Sequence, residues 1–148
     1  MELFQVDDEG RLFISPAIED WESLAAYKID TVIDLEGGLD TCIPSIENQC
    51  LYVYFPIADD DEALPNLIKL RAIARLGASL VREGHCVLSH CGMGYNRSAL
   101  VAGLILTELG MPGPEAVARL RERRPGALYN DRFAEFVASH VAAEAMPL

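Results

Sequence analysis

The stretch His90–Ser98, HCGMGYNRS, carries the residue types with the most chemistry to offer. Cys91 and Arg97 are separated by five residues, Gly92, Met93, Gly94, Tyr95 and Asn96. A loop of that length with two glycines can take backbone angles closed to other residues and curl until successive amide N–H groups face one hollow. A helix starting at its end adds a positive N-terminus to the same hollow. Such a concavity is a cradle for a tetrahedral anion. Arg97 would present a rigid fork of donors to two of the anion's oxygens, a geometry lysine cannot match. The same N–H groups and helix dipole would stabilise Cys91 as a thiolate on the cradle floor, a nucleophile held against the anion it attacks.

The elements that must position this loop are legible in outline. His85–His90 is short, largely apolar and follows Gly84, which reads as a buried central strand. A helical pattern begins near Arg97 and closes at Gly110. Upstream, Leu3–Val6 and Arg11–Ile14 flank the turn-like Asp7-Asp8-Glu9-Gly10 and read as a hairpin. Ser15 followed by Pro16 reads as a helix start, with the helix running to about Tyr27. Thr31–Leu35 and Leu51–Phe55 are β-branched or aromatic runs that predict two neighbouring strands. From Pro65 to Glu83, Leu67, Leu70, Ile73, Leu76, Leu80 and Val81 recur at three- and four-residue steps, predicting a long amphipathic helix. After Pro112–Pro114 a helix follows to about Arg124, Pro125-Gly126 break it, and a last helix begins near Asn130. Strands alternate with helices, so the expected architecture is α/β: a central, mostly parallel sheet flanked by helices, with the loop between a central strand and the next helix.

Length and composition bound the rest. The 148 residues, 51% hydrophobic, are enough for one continuous core and read as a single domain, 1–148. The net charge of −11 is unevenly spread: residues 1–62 hold sixteen of the 23 acidic groups but only Arg11 and Lys28 among the basic ones. That field disfavours nucleic acid and anionic bilayers, while a small phosphorylated ligand can still approach the arginine-richer half. The longest apolar run, Ala99–Leu106, is too short to cross a membrane, and the acidic N-terminus does not read as an export signal. Four cysteines without metal-type spacing suggest free thiols in a reducing compartment, and a cytoplasmic monomer is expected.

Cys-x-x-x-x-x-Arg-Ser preceded by His resembles the signature of the cysteine-dependent protein tyrosine phosphatases. The short chain, with a long helix ahead of the signature, looks most like their dual-specificity branch. Arg121–Phe133, RERRPGALYNDRF, is similar to the family segment in which an arginine-rich helix end meets a Pro/Gly break and an Asn near a Phe. The resemblance implies hydrolysis of phosphate monoesters through a cysteinyl-phosphate intermediate, without metal or cofactor, on a phosphorylated protein or small phosphomonoester. It implies that His90 orients and tunes the thiolate, that Ser98 helps the thiolate leave, and that Asn130 braces the loop. It also implies a general acid on the loop Pro56–Asn66, which offers Asp59, Asp60 and Asp61 in a row. Counting from the strand end favours Asp59, and counting back from the helix start favours a later one; Asp59 is the first choice and Asp60 the second. Adjoining carboxylates favour keeping one of them protonated, which suits an acid. Met93, Tyr95 and Asn96 are larger than the family's usual residues. The absence of lysine from the loop points away from inositol phospholipids and toward phosphotyrosine or mixed phosphotyrosine and phosphoserine/threonine.

Blander readings stand beside these. A lone cysteine at a strand end is usually a small buried hydrophobe. For Cys91 the company of His90, two glycines and Arg97 reverses that reading, whereas Cys42, Cys50 and Cys86 keep it. Redox pairing of Cys91 has no support in the sequence: Cys86 lies too far along a regular strand. Without the loop, the 59–61 run would read as a solvated turn. Arg119, Arg121, Arg123 and Arg124 read as a solvated helix face with one or two lining the site, His85 and His140 as structural or exposed, and Trp21 as core. A rhodanese-type sulfur transferase and a non-catalytic phosphate-binding module are the rival functions. The former would need neither the acidic loop nor Ser98, and the latter typically lacks the cysteine or the arginine.

Overall fold

The computed structural model describes residues 1–142; positions 143–148 of the expected domain lie outside the described residues. Two short strands open the chain, β1 (Phe4–Gln5) and β2 (Leu12–Ser15). Asp7 closes the turn between them, its carboxylate accepting hydrogen bonds from the N–H groups of Arg11 and Leu12. Helix α1 (Trp21–Ala26) leads into β3 (Ile29–Asp34) and β4 (Leu51–Tyr54). The long helix α2 (Leu67–Arg82) is capped by Asn66, whose side chain accepts from Lys69 N–H. Strand β5 (Cys86–His90) then feeds α3 (Arg97–Glu108), followed by α4 (Gly113–Arg123) and α5 (Asp131–Ser139).

The five strands stand in the order β1-β2-β5-β3-β4; β1 runs antiparallel to β2, and the other pairs are parallel. The alternation of side chains along each strand sorts the apolar residues onto two faces. Leu12, Ile14, Ile33 and Val87 face the main core, under α2 to α5. Phe13, Val32 and Leu88 face a smaller cluster with Leu24 and Trp21 of α1. The mostly parallel sheet flanked by helices is thus the expected architecture.

Helix α3 explains why its sequence is apolar nearly all round. It packs on β2 and β5 on one side and on α2, α4 and α5 on the other, and Leu100, Leu104 and Ile105 have no exposed surface. Each such side chain contributes about 1.5–3 kcal/mol by leaving water. Among the described residues, the helix that carries Arg97 is the most completely buried.

Ser15 and Pro16 do not start a helix. Ser15 pairs with His90 in the parallel ladder, and α1 begins later, at an Asp20 cap that accepts from Ser23 N–H. A local cap signal lost to non-local strand pairing, because β2 completes the hydrogen bonds of the central strand on the side away from β3.

Candidate active site

Strand β5 ends at His90 and α3 begins at Arg97, so the loop 91–96 turns at the carboxyl end of the central strand, where open α/β sheets bind ligands. Four consecutive loop carbonyls are tied to surrounding elements. Gly92 C=O accepts from Ala17 N–H, and Tyr95 C=O from Leu128 N–H. Met93 and Gly94 C=O accept from the Arg124 guanidinium at 3.3 and 3.4 Å. In a planar trans peptide the N–H points opposite the C=O. Pinning these carbonyls outward therefore turns the N–H groups of residues 93–96 inward. Gly94 N–H shows the result, lying 3.2 Å from Cys91 Sγ.

Cys91 is 2% exposed, and its sulfur also lies 3.5 Å from Ser98 Oγ. Ser89 Oγ donates to Ser98 C=O at 2.9 Å, locking the first turn of α3 to the end of β5. Asn96, at the N-cap of α3, makes no side-chain cap, and no acidic residue occupies the first turn. Its amide is used elsewhere: Oδ1 accepts from Asn130 N–H at 2.9 Å, and Nδ2 donates to Asp59 Oδ2 at 2.9 Å. The N-terminal N–H groups of α3 and the partial positive charge of the helix end thus face the loop uncapped.

Gly94 is a point where only glycine fits. Its φ is +75°, and a Cβ there would lie 2.7 Å from Pro16 N. Gly94→Ala is expected to cost about 1–3 kcal/mol through strain and overlap. It should also weaken any oxyanion binding in the hollow by distorting the amide ring. Thermal melting and phosphate titration check this, and wild-type values for both would show that the loop is not held as described.

Asp59, Asp60 and Asp61 part company. Asp59 joins the loop: its Oδ1 accepts from Asn130 Nδ2 at 2.8 Å while Oδ2 takes the Asn96 amide. The Asp60 side chain instead accepts from Glu62 N–H, and its backbone C=O accepts from Asn130 Nδ2 at 3.0 Å. Asp61 lines an open hollow with Asp59, Tyr129, Asn130 and Asp131. Asn130 caps α5 as well, through Phe133 N–H. It ties the loop 91–96, the acidic loop and α5 together.

His90 is 1% exposed, and its Nε2 faces Asp40 Oδ2 at 2.7 Å and Asp34 Oδ1 at 3.4 Å. Tyr52 OH contacts both carboxylates, and burial followed by its hydrogen bond to Asp34 pushes its pKa up, so it remains a donor. The Nε2 hydrogen bonds thus go to the two carboxylates, and Nδ1 is buried without a partner among the described residues. Asp34, Asp40 and His90 bring ligand-type atoms within 4.8 Å of one another, but hydrogen bonds already knit them together.

Arg97 does not stand free. Its Nη2 lies 2.8 Å from Glu36 Oε2 and its Nη1 3.4 Å from Glu36 Oε1, and Nη1 also donates to Ile57 C=O at 3.3 Å. Burial opposes the Arg97 charge, but the Glu36 hydrogen bonds and attraction to Cys91 outweigh it and raise its pKa. Burial likewise opposes the Glu36 charge, and the hydrogen bonds and charge of Arg97 outweigh it, holding that carboxyl below its ordinary range.

Of the four helix arginines, Arg124 reaches the loop, with its guanidinium 3.9 Å from the Tyr95 ring centroid and 4.4 Å from that of Phe4. Arg121 holds the Ala127 and Leu128 carbonyls, and Arg119 and Arg123 pair with Asp8. Leu128 sits at φ +57°, so the segment that braces Tyr95 is itself held in an uncommon conformation. Glu36, Asp34, Asp40 and Tyr52 were missed from sequence. The available signal was Asp34, an acid within the β-branched run Thr31–Leu35, which must find a partner when buried.

No family model matches the chain, and no curated protein matches it. Solved structures do. The crystal structure of human DUSP28 is 23% identical, with 91% of this chain and 89% of that chain covered at a TM-score of 0.76. Tk-PTP in the active form is 26% identical, with 94% and 97% covered at 0.70. A mouse putative dual specificity phosphatase complexed with zinc tungstate is 22% identical, with 97% and 90% covered at 0.73. The chain has the fold these phosphatases share.

Proposed function

We propose that this chain, built on the dual-specificity phosphatase fold, hydrolyses phosphate monoesters through a cysteinyl-phosphate intermediate. The observation that carries the reading is the row of tied carbonyls at residues 92–95, which turns the opposite amide N–H groups inward and leaves Gly94 N–H 3.2 Å from the Cys91 sulfur.

In this reading the Cys91 thiolate attacks phosphorus in line with the ester oxygen, forming the S–P bond as the P–O ester bond breaks. The loop amides, the N-terminus of α3 and Arg97 bind the non-bridging oxygens, whose charge they are oriented to meet before the reaction starts. Asp59 gives its proton to the departing oxygen. It then takes a proton from the water that attacks phosphorus and breaks the S–P bond. Ser98 Oγ, beside the sulfur, stabilises the thiolate as it leaves. Asn130 and Asn96 act as positioning residues for Asp59. Asp34, Asp40 and Tyr52 hold His90, and through it the end of β5 from which Cys91 projects.

The reading extends to the whole of 1–148 as one phosphatase domain, working as a cytoplasmic monomer on a phosphorylated protein or a small phosphomonoester. No helix among the described residues is long and apolar enough to cross a membrane. Exposed Tyr129 and Met93 and half-buried Tyr95 support phosphotyrosine, whose ring can lie among them.

The test sets aryl phosphate hydrolysis beside sulfur transfer from thiosulfate to cyanide, with the same preparation. Hydrolysis is expected without sulfur transfer, and acid quench during turnover should trap phosphate on the peptide containing Cys91. Thiosulfate turnover without hydrolysis would instead make the chain a sulfur transferase.

A further inference from the structure

We infer that Glu36 is an affinity-determining residue that shares the oxyanion cradle, competing with the phosphoryl group for Arg97 and the first loop amide. The inference rests on reading the loop as an oxyanion cradle. Glu36 lies just beyond β3, far from the signature in sequence, and its carboxylate closes on Arg97 with both oxygens. It also accepts a hydrogen bond from the Gly92 N–H, the first amide after Cys91. A Cβ at position 92 would overlap Glu36 Oε2, so the close approach depends on glycine there.

A carboxylate that bridges the arginine fork and a loop amide makes the contacts that two phosphoryl oxygens would make. A guanidinium has five N–H groups. Glu36 engages both Nη atoms, and Ile57 C=O takes a further contact from Nη1. An entering oxyanion therefore meets a fork already partly engaged, and its own charge is repelled by the carboxylate beside it. Like charges in a partly desolvated site cost affinity even when both reach the same cation.

The carboxylate is also placed to move. Its side chain is 39% exposed, whereas that of Arg97 is 16% exposed and Arg97 belongs to the first turn of the most buried helix. Gly37 and Gly38 follow it, and a Cβ at either position would meet nothing within 4 Å. Glu36 can swing into water while Arg97 stays in place. Binding an oxyanion then displaces Glu36, and removing the Glu36 charge makes that displacement unnecessary. By linkage, whatever strengthens the Glu36–Arg97 pair weakens oxyanion binding by the same factor.

Calorimetric titration with tungstate, alongside steady-state hydrolysis of an aryl phosphate, tests this on wild type, Glu36→Gln and Glu36→Ala. Tungstate is expected to bind about tenfold tighter to both variants, the effect of removing one like charge that is partly screened by solvent. KM should fall with it, and kcat should change less. Glu36→Gln keeps the size of the side chain, so it preserves the test if Glu36→Ala proves unstable. Unchanged or weaker tungstate binding in Glu36→Gln would overturn the inference, since a residue that merely braced Arg97 would lose affinity when neutralised. A wild type that neither binds tungstate nor hydrolyses the ester overturns the cradle itself; a wild type that does both, with no gain in the variant, overturns only the role of Glu36.

Discussion

Cys91→Ser is expected to abolish aryl phosphate hydrolysis, a loss of at least about 10⁴-fold, while the domain keeps its melting temperature within a few degrees. The loss follows from chemistry and the survival from packing. A serine hydroxyl is a far weaker acid than a thiol, so the attacking charge is missing. The residue is 2% exposed, and serine adds no bulk there: its neighbours Gly94 N–H and Ser98 Oγ, at 3.2 and 3.5 Å from the sulfur, are polar groups that tolerate a hydroxyl. Tungstate should still bind the variant, because the carbonyl ties that aim the amides do not involve the sulfur. Turnover within tenfold of wild type would mean that hydrolysis does not pass through Cys91.

Asp59→Ala is expected to lower kcat by about 10²–10⁴-fold toward an alkyl phosphate, the usual contribution of a positioned acid. The fall in rate on the alkaline side of the pH profile, which a required acid produces as it loses its proton, should vanish in this variant. Asp60→Ala and Asp61→Ala should keep both the rate and that limb. The difference has a structural origin. The Asp59 carboxylate is held by two amides, Asn96 at 2.9 Å and Asn130 at 2.8 Å, one belonging to the phosphate loop and the other to the cap of α5. The Asp60 carboxylate is turned into its own turn, on Glu62 N–H. Wild-type profiles for all three variants, or loss of the limb in Asp60→Ala or Asp61→Ala alone, would move the acid away from Asp59.

What could be read from the chain in advance was local in character. The Cys91–Arg97 loop, the buried strand before it, the helix after it and the order of the other elements follow from spacing, glycine placement and apolar periodicity, each set within a few turns of chain. Asn130 and the 59–61 run came from the resemblance, counting from the strand end put Asp59 first in that run, and the fold bonds Asp59 to Asn96 and Asn130. Ser15-Pro16 misled because a good cap signal cannot reveal that β5 will claim Ser15 as a partner 75 positions away.

The amino-acid sequence by itself determined that an anion cradle with a cysteine floor and an arginine fork can form at residues 91–97. Tertiary structure alone decided what the charges around that cradle do. It set Glu36 on Arg97, Asp34 and Asp40 on His90, and Arg124 rather than its three helix neighbours on the loop carbonyls. The physical reason is that charge interactions depend on separation in space. Parallel strands joined by long crossovers bring together carboxylates and cations whose separation along the chain carries no trace of the pairing.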